Sequence, residues 1–376
     1  MKIARLADLI DPAVTRRIVV KVGSSLLVER GEPRRDWLRG LVAELAEVHA
    51  RGQQVILVSS GSIALGAARL SLEKGGRASL ADAQAAAAVG QIALSGLWAG
   101  LLEERGLTAA QLLLTLDDLE DRRRYLNATA TLTRLLDAGA VPVINENDSV
   151  ATEEIRFGDN DRLAARVAQA AGADAVMLLS DVDGLYDRDP AADGALLIPS
   201  VRGVDDDTMA MATNASGSGM GSGGMLSKLQ AAQIAERAGI ALAILNGTHD
   251  RPIARALGDE RGTLFLPVGR AGARKAWLGG RMKTRGNLHI DGGAAKALRE
   301  GGSLLATGIV AVDGRFARGD LIAVIDPEGT QLAHGLVEYD AAECERLMGK
   351  RTLQHEKILG YAPRPAVVHR NQMVLA

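Results

Sequence analysis

The chain has 376 residues, 47% hydrophobic and only 3% aromatic, with 44 Lys and Arg against 46 Asp and Glu for a net charge of −2. That length holds two or three domains and a sizeable core, and the charge balance argues against a broad nucleic-acid or anionic-membrane footprint. The single cysteine, Cys344, excludes a disulfide scaffold and a Cys-based zinc site, and with no secretory signal core or membrane-spanning segment expected, the reading is a soluble cytoplasmic protein.

Residues 1–17 are mixed and read as a frayed lead-in. Residues 17–26 read as a buried strand, rich in β-branched residues, that runs into the turn Gly23-Ser24-Ser25. Gly23 permits close backbone approach to a ligand, and the N–H groups after it can face a phosphate. Lys21 breaks the apolar run. It is either a buried cation in need of an anionic partner or a solvent-facing residue of an edge strand. No Gly-Lys-Ser/Thr follows, so this is not a P-loop.

Apolar spacing at Leu38, Leu41, Val42, Leu45 and Val48 predicts a helix over 36–51, closed by Gly52. A strand over 54–58 then ends in Ser59-Ser60-Gly61-Ser62, which suits either a helix cap or a backbone cradle for a carboxylate or phosphate. A long Ala-rich helix is expected over 80–105, a strand over 111–115 and a helix over 121–137, ended by Gly139.

The densest chemistry comes next. A short strand over 140–144 breaks off into Asn145-Glu146-Asn147-Asp148, and a second cluster, Gly158-Asp159-Asn160-Asp161, leads into a helix through 163–168. Asn both donates and accepts, and Asp can anchor an ammonium or a lysine. Open α/β sheets bind ligands at the carboxyl ends of strands and at helix N-termini. One such cluster reads as an Asx-turn or cap; two, a dozen residues apart, read as the wall of a pocket for a small zwitterion.

A strand over 174–179 ends at Ser180-Asp181; Asp181 and Asp183 begin like a calcium loop, but the later ligand spacing fails. The window 216–228 holds five glycines, which make either a linker or a phosphate-cradling loop. A helix over 225–238 with Lys228 in its first turn favours the cradle, because a helix N-terminus and a lysine both attract anions. A strand over 240–245 closes this part. The alternation over 1–250 predicts an α/β fold, a mostly parallel sheet sandwiched by helices. Short runs at 288–293, 308–314, 321–326 and 333–337 predict a small β-rich domain, a curled sheet or partial barrel. From 284 onward eleven basic residues meet eleven acidic ones, which weakens an RNA-binding reading. The acids around Cys344 should raise its pKa, so it reads as a structural thiol. The six histidines lack metal-ligand spacing, and none is assigned to catalysis.

Five segments together resemble the glutamate 5-kinases of the amino-acid kinase family: Val20-Lys21-Val22-Gly23-Ser24-Ser25, Ser59-Ser60-Gly61-Ser62-Ile63, Val143-Ile144-Asn145-Glu146-Asn147-Asp148, Phe157-Gly158-Asp159-Asn160-Asp161 and Gly223-Gly224-Met225-Leu226-Ser227-Lys228. Gly302-Ser303-Leu304-Leu305 and Phe316-Ala317-Arg318-Gly319-Asp320 resemble the PUA domain that ends them. The lysine strand alone is shared with kinases of acetylglutamate, aspartate, carbamate and UMP; the Asn-Glu-Asn-Asp loop together with the tail is more specific.

The resemblance implies an amino-acid kinase domain over 1–265, a linker over 266–284, a PUA domain over 285–365 and a tail over 366–376. It implies ATP-dependent phosphorylation of the γ-carboxylate of L-glutamate to glutamyl 5-phosphate, the first step toward proline, with Mg²⁺ and no protein ligand named for it. It further implies a homo-oligomer, tetramer or dimer, with proline as a candidate feedback inhibitor. Carried over residue by residue, Lys21 and Lys228 flank the ATP phosphates, and Ser60, Asp148 and Asn160 bind glutamate. Ser180, Asp181, Ser222, Gly223, Gly224, Met225, Leu226, Ser227 and Lys228 contact ATP. Asp159 and Asp161 lie at the reaction centre, with Asp161 orienting the two lysines. Ser59 and Ser62 stand where Thr and Ala are common, and both keep the turn chemistry. The nearest rival is a kinase of the same fold acting on acetylglutamate, and an unblocked amine calls for an acidic ligand such as Asp148. RNA binding by the PUA domain is a second rival.

Overall fold

Leucine-rich and β-branched runs assemble an eight-stranded sheet in this computed structural model, which describes residues 3–150, 159–214, 222–268, 284–361, 363–364 and 366–375. The strands are β1 (Arg17–Val22), β2 (Gln54–Ser59), β3 (Ala109–Leu114), β4 (Val141–Glu146), β5 (Ala175–Ser180), β6 (Ser200–Arg202), β7 (Ala241–Asn246) and β8 (Thr263–Leu266). Their order is β3-β4-β2-β1-β5-β7-β8-β6. Every pairing is parallel except β7 with β8. The long helices between them are α1 (Arg35–Ala50), α2 (Ser62–Leu70), α3 (Leu80–Glu103), α4 (Arg122–Asp137), α5 (Asp159–Ala171) and α6 (Ser222–Arg237). This is the mostly parallel α/β sheet with helices that the alternation predicts. The short strands β6 and β8 carry too little periodicity to be read from sequence.

The chain divides into two compact units, Met1–Leu119 with Ala128–Ala271, and Glu120–Asn127 with Gly272–Ala376. In the first, β1 sits between β2 and β5, with Lys21 in register with Val58 and Leu178. The edge-strand alternative for Lys21 therefore fails, and the residue is only 7% exposed. Ile18, Val20 and Val22 pack in one core with Leu38, Leu41 and Leu45 of α1 and Leu94 and Trp98 of α3. The lead-in is not frayed either. Leu6–Ile10 forms a 3₁₀ turn, and Leu6 and Leu9 join that core.

The helices α2 and α3 touch backbone to backbone. A Cβ built on Gly66 would lie 1.8 Å from the carbonyl oxygen of Ala86, and one on Gly90 1.8 Å from that of Ser62. Only glycine fits at either position. By length and composition α3 could cross a membrane, because residues 83–102 carry no charge, contrary to the expectation that no segment has that character. Its face of Ala83, Ala86, Ala87, Gly90, Leu94, Leu97, Trp98, Leu101 and Leu102 is instead buried inside the protein.

The second unit is built on a five-stranded sheet, β9 (Gly286–Ile290), β10 (Ile309–Gly314), β11 (Leu321–Ile325), β12 (Gln331–Leu336) and β13 (Met373–Leu375), in the order β10-β9-β11-β12-β13. Its core joins Leu288, Ile322 and Val324 to Tyr339, Cys344 and Leu347. Cys344 is buried; burial first, then the charges of Asp340, Glu343 and Glu345, push its thiol up to about 12. That fits the structural thiol read from the flanking acids.

Candidate active site

The strands β4, β2, β1 and β5 are consecutive and parallel, so their carboxyl ends fall along one edge of the sheet. There the apolar runs give way to polar loops. A cleft of about 160 Å³ opens at that edge, lined by Gly23, by Ser60, Gly61 and Ser62, by Asn145, Glu146 and Asp148, and by Ser180 and Asp181. Asn160 and Asp161 enter from the first turn of α5, and Gly224 and Lys228 from α6. The two polar clusters expected to share one pocket do meet. Met225, Leu226 and Ser227 occupy the α6 turn between the two lining residues, and Ser227 is buried. Phe157 and Gly158 fall outside the described residues, as do the side chains of Asp159 and Ser222 and the surroundings of Gly223. The helix α6 starts at Ser222, within the glycine-rich window.

At the base of the cleft Asp161, 1% exposed, receives two lysines. Lys21 Nζ lies 2.6 Å from Oδ1 and Lys228 Nζ 3.2 Å from Oδ2. Lys228 Nζ also donates to the carbonyl oxygen of Gly224 at 3.2 Å. Burial alone would raise the Asp161 pKa, but the charges and hydrogen bonds of Lys21 and Lys228 outweigh it and hold the carboxyl below its ordinary 3.8. Two ammonium groups around one carboxylate leave the base of the cleft with a net positive charge.

The opposite wall is a hydrogen-bond chain. Asn160 Nδ2 donates to Ser60 Oγ at 2.9 Å and to Asn145 Oδ1 at 3.1 Å. Asn145 Nδ2 donates to Ser62 Oγ at 3.1 Å and to Gln91 Oε1 at 2.8 Å, and the Ser62 hydroxyl donates to Asp148 Oδ2 at 3.4 Å. The Asn160 Oδ1 is buried and accepts no hydrogen bond among the described residues. A buried acceptor of that kind needs a donor. Gly61 makes the turn possible: its φ of 109° is left-handed, and a Cβ there would press on Leu27 Cδ2 at 3.0 Å. Beneath it Trp98 Nε1 donates to Ser59 Oγ at 2.8 Å, so the hydroxyl at 59 anchors the loop.

Sequence reasoning left out Asn145, Ser62, Gln91 and Arg77 as site residues. Asn145 and Ser62 sat inside motifs already singled out. Gln91 reaches the wall only because Gly66 and Gly90 let α2 and α3 touch, and Arg77 lines the cleft from a loop with no motif of its own.

Residues 16–246 match the amino acid kinase family and residues 286–359 match the PUA domain. The chain is 67% identical to a glutamate 5-kinase of Novosphingobium aromaticivorans over all 376 residues, covering 100% of both chains. It is 60% identical over 369 residues to a glutamate 5-kinase of Sphingopyxis alaskensis, covering 98% of this chain and 100% of the relative. It is 55% identical over 361 residues to a glutamate 5-kinase of Zymomonas mobilis, covering 96% of this chain and 91% of the relative.

Proposed function

The chain belongs to the amino acid kinase family and ends in a PUA domain, and on that premise we propose that it transfers the γ-phosphoryl group of ATP to the γ-carboxylate of L-glutamate. The product is glutamyl 5-phosphate, which commits glutamate to proline synthesis. The observation that carries this reading is the pairing of a doubly lysine-bound Asp161 with a facing wall of Asn145, Asp148 and Asn160 in one cleft.

The chemistry follows from charge. A glutamate side-chain carboxylate, whose ordinary pKa is about 4.3, is already ionised at neutral pH. No general base is needed. The barrier lies in bringing one anion against another in line, so positioning and cationic stabilisation dominate. Lys21 and Lys228 supply positive charge where the γ-phosphoryl group passes between oxygens. Asp161 does not react. It holds both lysine side chains in place, in a buried site where a cation needs an anionic partner. The backbone N–H groups after Gly23 and at the start of α6 serve the phosphates, and Ser180 and Asp181 border the nucleotide side. Ser60, Asp148 and Asn160 take the amino-acid end of glutamate. Asp148 answers the ammonium charge, and the unpartnered Asn160 Oδ1 accepts one of its hydrogens. Asp159 is assigned to the reaction centre through the family resemblance.

Among the described residues no three His, Cys, Asp or Glu side chains are placed to hold a metal. Mg²⁺, which enters through the family resemblance with no protein ligand named for it, would neutralise charge on the nucleotide phosphates when bound. The domain limits of this reading are a kinase domain over 1–265, a linker over 266–284, a PUA domain over 285–365 and a tail over 366–376. A cytoplasmic location, a homo-oligomer and inhibition by proline at the glutamate cleft belong to it through the family resemblance. The even charge of residues 284–376 favours no RNA partner.

Substrate choice tests the proposal. ADP release should depend on L-glutamate and be weak with N-acetylglutamate, whose blocked amine brings no ammonium to Asp148. Equal or better turnover of N-acetylglutamate would overturn the assignment of Asp148 and of the substrate.

A further inference from the structure

We propose that Arg77 binds the α-carboxylate of the amino-acid substrate and thereby sets the cleft's specificity for a full α-amino acid. The inference rests on the glutamate kinase reading and names a residue that reading does not use.

Glutamate brings three charges into the cleft, one ammonium and two carboxylates. The distal carboxylate goes to the phosphate side, and the ammonium goes to Asp148 and Asn160. The α-carboxylate still needs a cation. Among the described residues, the cationic side chains lining the cleft are Lys21, Lys228 and Arg77. The two lysines converge on Asp161 at the phosphate end. Arg77 stands at the other end, within the electrostatic reach of Asp148. The ammonium and α-carboxylate of an amino acid share one carbon, so a group that binds the second must stand beside the group that binds the first. Arg77 does so relative to Asp148.

The loop that carries Arg77 is built to hold it there. The turn Glu73–Gly76 places Lys74, Gly75 and Gly76 in the left-handed region, at φ of 50°, 65° and 74°. Gly76 is buried between α2 and α3, where a Cβ would sit 3.0 Å from Ala67 Cβ and 3.1 Å from Ala86 Cβ. Arg77 follows that pinned glycine directly. Arg77 is an exposed residue at the cleft's rim, where desolvation lowers its pKa and the Asp148 charge raises it. A guanidinium matches a carboxylate with two parallel N–H donors, which an ammonium cannot copy.

The test uses the full chain and compares L-glutamate with 4-aminobutyrate, which keeps the amine and the distal carboxylate but lacks the α-carboxylate. In the Arg77→Ala variant, kcat/KM for glutamate should fall by roughly 10²-fold, chiefly through KM. The KM for ATP should stay within about twofold. The inhibition constant of 4-aminobutyrate against glutamate turnover should be unchanged, because Arg77 has nothing to bind on it. Arg77→Lys should recover part of the loss. Equal losses for glutamate and 4-aminobutyrate would mean that Arg77 only shapes the site, and an unchanged KM for glutamate would remove it altogether; either overturns the inference. Absence of glutamate turnover in the unaltered chain would strike the kinase reading itself.

Discussion

Replacing Asp161 by Asn keeps its shape and removes its charge. Lys21 and Lys228, each 7% exposed, then face each other across a neutral amide. Removing one partner of a buried ion pair costs about 3–5 kcal/mol, because the remaining charge is neither solvated nor matched. For a unit of this size each kcal/mol moves Tm by about 2–4 °C, so the variant should melt on the order of 10 °C lower at pH 7. The pH dependence gives a sharper check. The folded pKa of Asp161 is depressed below 3.8 by the two lysines despite burial. A depressed carboxylate contributes stability that is fully present above its unfolded value, about 3.9, and is lost as pH falls through the folded value. The gap in Tm between Asp161→Asn and the parent should therefore hold steady from pH 7 to 5 and close only below about pH 4. Thermal melts followed by circular dichroism across that range would measure it. A variant that melts with the parent at pH 7, or a gap that stays constant down to pH 3, would refute the claim that the ion cluster holds the base of the cleft.

Four further outcomes follow from the structure. Lys228→Met should lower kcat by about 10²–10³-fold with little change in the KM for glutamate, because the ammonium acts on charge that passes to the phosphoryl group; stopped-assay kinetics would check it at a temperature where circular dichroism shows the variant folded. Gly90→Ala puts a methyl 1.8 Å from the Ser62 carbonyl oxygen and should cost about 3 kcal/mol while raising the KM for glutamate. Gly40→Ala, in α1 with open space around it, should instead stabilise by about 0.5–1 kcal/mol. Cys344, buried and with its thiol pushed up to about 12, should resist a thiol reagent at pH 8 until denaturant exposes it; rapid labelling of the folded chain would contradict that placement.

Sequence carried the sheet because the buried strands β1, β2, β4, β5 and β7 are short apolar runs with a clear polar end. It carried the two halves of the cleft because Asn145-Glu146-Asn147-Asp148 breaks off the β4 run and Asn160-Asp161 opens the helix α5 with polar residues. Lys21 stayed ambiguous: a lysine in a strand has the same local pattern on an edge as in the centre, and only the strand order, with β1 between β2 and β5, decides. The apolar length of α3 was underestimated because its two charges, Asp82 and Glu103, sit at its ends. Gln91 and Arg77 were invisible for a different reason. Neither belongs to a motif: Gln91 meets Asn145 through the contact of α2 with α3 that Gly66 and Gly90 allow, and Arg77 lines the cleft from the loop after Gly76. Close approach of two helices leaves no periodic trace, since a glycine in a helix reads as a weakness before the packing is known.

The most direct test of the central claim is acyl-phosphate trapping: the chain with ATP, Mg²⁺, L-glutamate and hydroxylamine, followed by assay of γ-glutamyl hydroxamate. The expected result is hydroxamate that requires both glutamate and ATP and is lost in Lys228→Met. ATP turnover without hydroxamate, or hydroxamate only from aspartate or N-acetylglutamate, would leave the fold standing and contradict phosphorylation of the glutamate γ-carboxylate.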